Sequence, residues 1–215
     1  MEYADVITAI EIVNEPTADN IEITRQFASE AYTAIKTAST SPDLTIITHD
    51  AFQPLSSWSP LASSLSPNFA LDTHPYHLFP PTPPSLTQPQ HISLACSFPS
   101  NFPHPQTYIG EFSALSNICV SPQADGTTTT IPGTSCDTPD CQCQSAPLAE
   151  WGPALVQETR RFLQAQVERF ESAEGVRGWF LWSWEGPGGW GVRGLVERGV
   201  VPQPWGERGG VGVCS

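Results

Sequence analysis

Basic residues are scarce in this chain of 215 residues. Lysine and arginine together number nine against 22 aspartates and glutamates, the formal net charge is −13 at pH 7, and Lys36 is the one lysine. Nucleic-acid binding depends on a basic surface that neutralises phosphates, so this charge balance argues against a nucleic-acid partner. An acidic surface instead suits a secreted protein that acts on a neutral polymer.

The sequence also shows no long apolar run, no pattern typical of a signal peptide and no N-glycosylation sequence. No apolar run approaches the roughly 20 residues that a membrane span needs, so we expect no membrane-spanning segment. The chain opens with MEYAD, which lacks the basic residues that begin a signal peptide. No Asn-x-Ser/Thr sequence occurs, so glycosylation gives no evidence for secretion.

The six cysteines are even in number, and none of them forms a CxxC pair. An even set favours disulfides in an oxidising compartment. A zinc site in the segment that holds Cys136, Cys141 and Cys143 is the alternative, but it needs a fourth ligand and a tighter spacing. We therefore expect no metal.

Strand and helix patterns alternate along the chain, which predicts a parallel α/β architecture. The segment at residues 121–147, rich in Thr, Pro and Cys, predicts a surface insertion. Five strands cannot close an eight-stranded barrel, and the chain is shorter than the roughly 250 residues of a complete one. Strands are predicted at residues 6–13, 44–48, 69–74, 107–110 and 178–184, and helices near residues 21–37, 91–98 and 148–173.

Two of the predicted strands lead into a glutamate. Residues 10–16 (IEIVNEP) present Glu15, and residues 108–112 (YIGEF) present Glu111. In a (β/α) barrel the carboxyl ends of the strands carry the chemistry. Two carboxyl groups about 5 Å apart are the apparatus of retaining glycoside hydrolysis, which requires no cofactor. A third segment, residues 178–185 (GWFLWSWE), supplies aromatic side chains on which a sugar ring can stack.

These segments occur in an order that resembles glycoside hydrolase family 5, in its fungal exo-β-1,3-glucanase branch. The resemblance runs from residue 6 to residue 214 and implies a TIM (β/α)8 barrel that is incomplete. The matching segments are residues 10–16 with the Asn-Glu-Pro motif, HDAFQ at 49–53, residues 72–79 with their His-x-Tyr core, GEFSAL at 110–115, WFLWSWE at 179–185 and PQP at 202–204.

The resemblance implies a role for each matching residue. Glu15 matches the general acid/base and Glu111 the nucleophile that forms a glycosyl-enzyme intermediate. Asn14 matches the residue that binds the sugar 2-hydroxyl, and His74 and Tyr76 match site residues, with the tyrosine hydroxyl near the nucleophile. Either Trp182 or Trp184 matches the platform beneath the sugar, since alternate strand residues share a face. His49 and Asp50 match a family motif for which a structural role is the better interpretation.

The resemblance also bears on the cysteines and on the extent of the barrel. Cys96 and Cys214 occupy the places of a family bridge, and Cys119 would pair with Cys136, Cys141 or Cys143. The NEP motif ends the fourth strand in the family, so residues 1–215 would supply the equivalents of strands 4–8 as one part of a single catalytic barrel. The first three βα units are then missing.

The function implied is hydrolysis of β-1,3-glucan with release of glucose, by a monomer in the extracellular space or cell wall. One alternative keeps the mechanism and changes the linkage to β-1,6-glucan, β-1,4-glucan or mannan. Another is a truncated, non-catalytic remnant that binds glucan through its tryptophans.

Overall fold

The computed structural model describes residues 6–65, 67–79, 82, 86–101, 106–117, 120–122, 128–130, 144, 146–205 and 212–214, with backbone only for 120–122 and 128–130. Strands and helices alternate through most of this range, as the sequence predicts. The strands are β1 (Ala9–Glu11), β2 (Thr45–His49), β3 (Phe69–Thr73), β4 (Thr107–Phe112), β5 (Val120–Pro122), β6 (Thr128–Thr130) and β7 (Val176–Leu181).

Five of these strands form one parallel sheet in the order β1-β2-β3-β4-β7. The register sets Ile10 beside Ile46 in β2, and His49 beside Asp72 in β3. Every residue of β3 except the last is buried, which is typical of parallel strands covered on both faces. The predicted α/β fold, a partial TIM barrel, is confirmed.

The helices are α1 (Ile21–Ala38), α2 (Ser59–Leu65), α3 (Gln88–Cys96), α4 (Pro153–Ser172) and α5 (Val192–Glu197). Helix α3 begins three residues before its predicted start, because Gln90 Oε1 accepts the Thr87 backbone N–H at 2.8 Å and completes a capping box. No helix in the described ranges is long and apolar enough to cross a membrane.

The described residues divide into two compact units. The described residues of the first unit lie within Met1–His74, Pro99–Gly110 and Ala173–Trp179, and those of the second lie within Pro75–Phe98, Glu111–Ser172 and Phe180–Ser215. In the first unit the core lies between α1, α2 and β3. It is built from Ala28, Ala51, Trp58, Ala62, Leu65, Phe69 and Leu71.

The core of the second unit lies between α3 and α4. Phe162 packs there with Ala95 and Ala165, and the chain end at Val213 and Cys214 packs against the same cluster. Cys96 and Cys214 form a disulfide, which is the pairing implied by the family resemblance.

The sequence patterns missed two features and misjudged several boundaries, among them those of β1, α4 and β7. Strands β5 and β6 pair as an antiparallel ribbon within the predicted insertion, and the short helix α5 was not foreseen. Strand β7 ends at Leu181, so Trp182 and Trp184 both follow the strand. The argument that these two tryptophans share one strand face is therefore wrong.

Candidate active site

Glu15 lies in the turn that follows β1, four residues beyond the end of the strand. Its backbone adopts a left-handed conformation with φ of 43°, although it is not a glycine. Non-glycine residues in this region cost about 1–3 kcal/mol and concentrate at functional sites. The Glu15 side chain is 37% exposed, and Asn14 beside it is also exposed, so both can reach a ligand.

The Glu15 carboxylate meets a buried histidine. Its Oε1 lies 2.7 Å from Nδ1 of His74, and Nε2 of His74 lies 3.2 Å from Oδ2 of Asp72. Asp72 also accepts the backbone N–H of Gly110 at 2.6 Å through Oδ1. His74 thus bridges two carboxyl groups, one partly exposed and one almost fully buried.

Two further titratable residues pack beside this histidine. The ring of His49 meets that of His74 edge to face at 4.3 Å, and Nδ1 of His49 accepts the Ala51 backbone N–H at 3.0 Å. Burial, helped by the neighbouring His74, lowers the pKa of His49 to about 4. Burial raises the pKa of Asp50 to about 6, against the opposing effect of its hydrogen bonds to Thr73 and to the backbone N–H of Phe52.

A metal ion is a possible occupant of this region by geometry alone. Ligand atoms of Glu15, His49 and His74 lie within 4.8 Å of one another. However, both nitrogens of His74 already face carboxyl groups, and neutral His49 uses its Nδ1 lone pair for Ala51 and carries its proton on Nε2. The lone pairs are committed to a hydrogen-bond network, so these residues fit a proton-handling cluster better than a metal centre.

Glu111 lies near the end of β4, in the second unit. The hydroxyl of Tyr76 donates a hydrogen bond to Glu111 Oε2 at 2.7 Å. Tyr76 is itself fixed by aromatic contacts, edge to face with Phe79 at 5.6 Å and with Trp190 at 5.9 Å. The donor to Glu111 is therefore held in place by packing.

The two candidate platform tryptophans occupy different surroundings. Trp182 is 49% exposed, and its backbone N–H donates to the carbonyl of Phe112, the residue after Glu111, at 2.8 Å. Trp184 is 66% exposed and lines an open pocket of about 550 Å³ together with Glu185 and Arg193. Trp182 is thus the one anchored beside the Glu111 strand.

Sequence reasoning missed Asp72 and Trp190 as site residues. Asp72 directly precedes the Thr73-His74 pair, and its position two residues before a candidate histidine was the available signal. Trp190 lies in a glycine-rich segment whose pattern gave no signal. The remaining candidates Cys119, Cys136, Cys141 and Cys143 fall outside the described residues.

The sheet order, the intervening helices and the polar residues after the strands define part of a (β/α) barrel with carboxyl groups at its strand ends. The crystal structure of a rutinosidase from Aspergillus niger shares this fold, with a TM-score of 0.54 and 16% sequence identity over 89% of this chain and 51% of that one.

No protein-family model matches the chain. It is 32% identical to a probable glucan 1,3-β-glucosidase A of Aspergillus clavatus, over 95% of this chain and 51% of that protein. It is 26% identical to the glucan 1,3-β-glucosidase I/II of Saccharomyces cerevisiae, over 96% and 49%. The chain is therefore homologous to fungal glucan 1,3-β-glucosidases and spans about half the length of these relatives.

Proposed function

We propose that the chain is the glutamate-bearing part of a retaining glycoside hydrolase that acts on β-1,3-glucan. The observation that carries this proposal is the hydrogen bond from Tyr76 to Glu111. A hydroxyl donor held at 2.7 Å orients the Glu111 carboxylate, which is the group that attacks the sugar in this scheme. Homology to the glucan 1,3-β-glucosidases supports the choice of substrate.

The reaction proceeds in two displacements. In the first, Glu111 attacks the anomeric carbon, the glycosidic C–O bond breaks, and Glu15 gives its proton to the departing oxygen. In the second, Glu15 takes a proton from water, the water oxygen bonds to the anomeric carbon, and the bond to Glu111 breaks to release glucose. Asn14 binds the 2-hydroxyl in this scheme, and no metal or organic cofactor takes part.

Trp182 is the better candidate for the sugar platform. Its backbone hydrogen bond to Phe112 anchors it next to Glu111 along β4, whereas Trp184 lines a separate pocket. An exposed indole face stacks on the apolar face of a pyranose. We expect Trp182→Ala to weaken laminarin turnover at least tenfold more than Trp184→Ala, and the reverse order would move the platform to Trp184.

The reaction is tested by replacing each glutamate and measuring glucose release from laminarin. Glu111→Gln removes the nucleophile and is expected to abolish release, a loss of about 10⁴-fold or more. Glu15→Ala is expected to spare the first displacement for an aryl glucoside with a good leaving group. Added azide should then rescue turnover as β-glucosyl azide. Glu150→Gln, at an exposed site, is the matched control. Undiminished release by Glu111→Gln would end the assignment.

A linkage and a location are part of the same proposal. β-1,3-Glucan is preferred because both glucosidases that we name carry that specificity in their names. A panel of β-1,6-glucan, β-1,4-glucan and mannan, with product analysis, tests the alternatives. We also propose a secreted or cell-wall location, because the substrate is extracellular; fractionation of the producing cells tests it.

Binding without turnover is the second candidate function. The exposed indoles of Trp182 and Trp184 favour it, because stacked tryptophans retain sugar affinity when catalysis is lost. Affinity electrophoresis through laminarin, run beside the glucose assay, separates the two. Retardation without glucose release supports a binding remnant, and release of glucose rejects it.

A further inference from the structure

Asp72 is a buried carboxylate with no role in the reaction as described so far. It is 3% exposed and lies in β3, in register with His49 of β2 and Tyr108 of β4. Its Oδ1 accepts the N–H of Gly110, and its Oδ2 faces Nε2 of His74. A Cβ on Gly110 would overlap this carboxylate, so the backbone of β4 leaves room for it.

The position of Asp72 decides which nitrogen of His74 carries a proton. A carboxylate offers only acceptor atoms, and one oxygen of Asp72 already accepts the backbone N–H of Gly110. Nε2 of His74 must therefore be the donor in the contact with Asp72. In neutral His74 the lone pair lies on Nδ1, the atom that is 2.7 Å from Glu15 Oε1.

The contact between His74 and Glu15 consequently holds one proton between two atoms. Without that proton, a carboxylate oxygen would face a nitrogen lone pair, which is repulsive. With it, the contact is a charge-assisted hydrogen bond. Glu15 can therefore pass the shared proton to the departing oxygen in the first displacement and take one from water in the second.

Neither His49 nor Asp50, the two titratable groups that pack beside His74, supplies this proton. His49 stays neutral above about pH 4, because burial lowers its pKa, and its Nδ1 is held by the Ala51 N–H. Asp50 Oδ1 accepts the N–H of Phe52, and the Asp50 backbone carbonyl accepts from Trp58. The proton is shared by Glu15 and His74 under the control of Asp72.

We propose that Asp72 is a positioning residue that fixes the proton of His74 on Nε2, so that Nδ1 can share one proton with Glu15. The part that concerns catalysis rests on the function proposed above, whereas the assignment of the tautomer does not. No atom is gained or lost: the shared proton leaves to the departing oxygen in the first displacement, and water returns one in the second.

Asp72→Asn tests this assignment with little change in shape. The amide oxygen can still accept the Gly110 N–H, but the amide nitrogen then faces Nε2 and donates to it. The proton of neutral His74 moves to Nδ1, which becomes a fixed donor to Glu15 and holds it as a carboxylate. Glu15 then loses its ability to act as an acid.

The first readout is the tautomer of His74 in the 215-residue chain labelled with ¹⁵N-histidine, assigned by loss of its signals in His74→Gln. We expect the proton on Nε2 in the unmodified chain and on Nδ1 in Asp72→Asn. Asp50→Asn, a second buried carboxylate, is the matched control and should keep the Nε2 tautomer. An Nδ1 tautomer in the unmodified chain overturns the proposal without any variant, and so does an unchanged tautomer in folded Asp72→Asn.

The second readout is leaving-group dependence in an active form of the enzyme. We expect Asp72→Asn to lower kcat about 10²–10³-fold for laminarin, which needs protonation by Glu15. The loss should be at most about tenfold for a glucoside with an activated aryl leaving group, and the basic limb of the pH profile should move to lower pH. Equal losses on both substrates contradict the positioning role. Undiminished glucose release by Glu111→Gln in that active form contradicts the proposed function and leaves the tautomer result standing.

Discussion

At the residue scale, the carboxyl ends of β1 and β2 hold three non-glycine residues in left-handed backbone conformations. Glu15, Ala51 and Phe52 have φ angles of 43°, 54° and 56°. All three contact His74 or its neighbour His49: Glu15 through its carboxylate on His74, Ala51 through its N–H on His49, and Phe52 through its ring on His49 at 4.9 Å. These hydrogen bonds aim polar atoms at two adjacent histidines, His74 and His49, and they offset the strain.

Gly110 tests how tightly Asp72 is held. Gly110→Ala would drive a methyl group into the Asp72 carboxylate, and the overlap should lower the free energy of unfolding by about 1–3 kcal/mol or more. Urea denaturation followed by circular dichroism measures the change. Gly152→Ala is the matched control, since a Cβ there meets no atom within 4 Å. Equal stability of the two variants would show that Asp72 can move aside.

Sequence motifs indicated several of the site residues. They missed Asp72, which acts through its contact with His74. Glu15, His74, Tyr76 and Glu111 stand in recognisable segments, and the structure places His74 on Glu15 and Tyr76 on Glu111. Asp72 escaped notice because its meaning depends on a contact with the backbone of Gly110, 38 positions away. A pairing of that kind is set by strand register, which local patterns do not specify.

At the element scale, α3 and α4 enclose two histidines that have no charged partner among the described residues. His77 and His91 both meet the ring of Phe162 edge to face, at 5.1 and 5.9 Å. Nδ1 of His77 and both nitrogens of His91 have no hydrogen-bond partner in the described part of the chain. Burial lowers the pKa of each to about 4.

Because the pKa values of His77 and His91 are lowered, we expect the folded protein to lose stability in mild acid. The unfolded chain protonates a histidine near pH 6.5, but the folded chain resists until about pH 4. The unfolded state therefore binds more protons between these values, and stability is fully present above about pH 6.5 and falls as the pH drops to 4. Each histidine contributes up to about 1.4 kcal/mol per pH unit. His49 acts in the same direction.

Asp50 opposes this trend without reversing it. The pKa of Asp50 in the folded chain is about 6, above its ordinary value of 3.8. Its contribution to stability is therefore full below about pH 3.8 and is lost as the pH rises through 6. Three histidines outweigh one aspartate, so urea titrations should give stability that rises from pH 4 to 6.5. His91→Leu should flatten the slope, and Ser93→Ala, exposed on the same helix, should not. A slope unchanged by His91→Leu would refute the assignment.

Element prediction succeeded where periodicity was long and failed where it was short. The patterns behind β3 and α4 run over several buried residues, whereas α1 forms where predicted although Ile23 and Phe27 on it are exposed. Helix α5 has only six residues with Gly194 among them, so local propensity argues against it. Its formation rests on contacts, such as the fit of Gly194 against Leu148.

At the scale of the whole molecule, the chain carries five parallel strands of the barrel type and about half the length of its relatives. The sequence predicted the number of strands in the parallel sheet because each of these strands is a separate apolar segment that leads into polar residues. The position of the chain end was predicted only through the family resemblance. No local sequence pattern indicates that residues 213–214 pack on α3 and α4.

The Cys96–Cys214 disulfide ties that chain end to α3 across a sequence separation of 118 residues. Closing so long a loop restricts the unfolded chain, and the chain-entropy argument assigns it about 4–5 kcal/mol. The folded tail is also held by Glu168, whose carboxylate accepts the N–H groups of Val213 and Cys214 at 2.6 and 3.4 Å. The two effects can be separated because they act on different states.

The double variant Cys96→Ala with Cys214→Ala should therefore lower the free energy of unfolding by about 4–5 kcal/mol in urea titrations at pH 7. Glu168→Gln keeps the disulfide and loses only charge-assisted hydrogen bonds, so its cost should be about 1.5–3 kcal/mol. A reductant added to the double variant reports on the other cysteines alone. A double variant as stable as the unmodified chain would mean that packing of the tail on α4, rather than the covalent bond, holds the end of the chain.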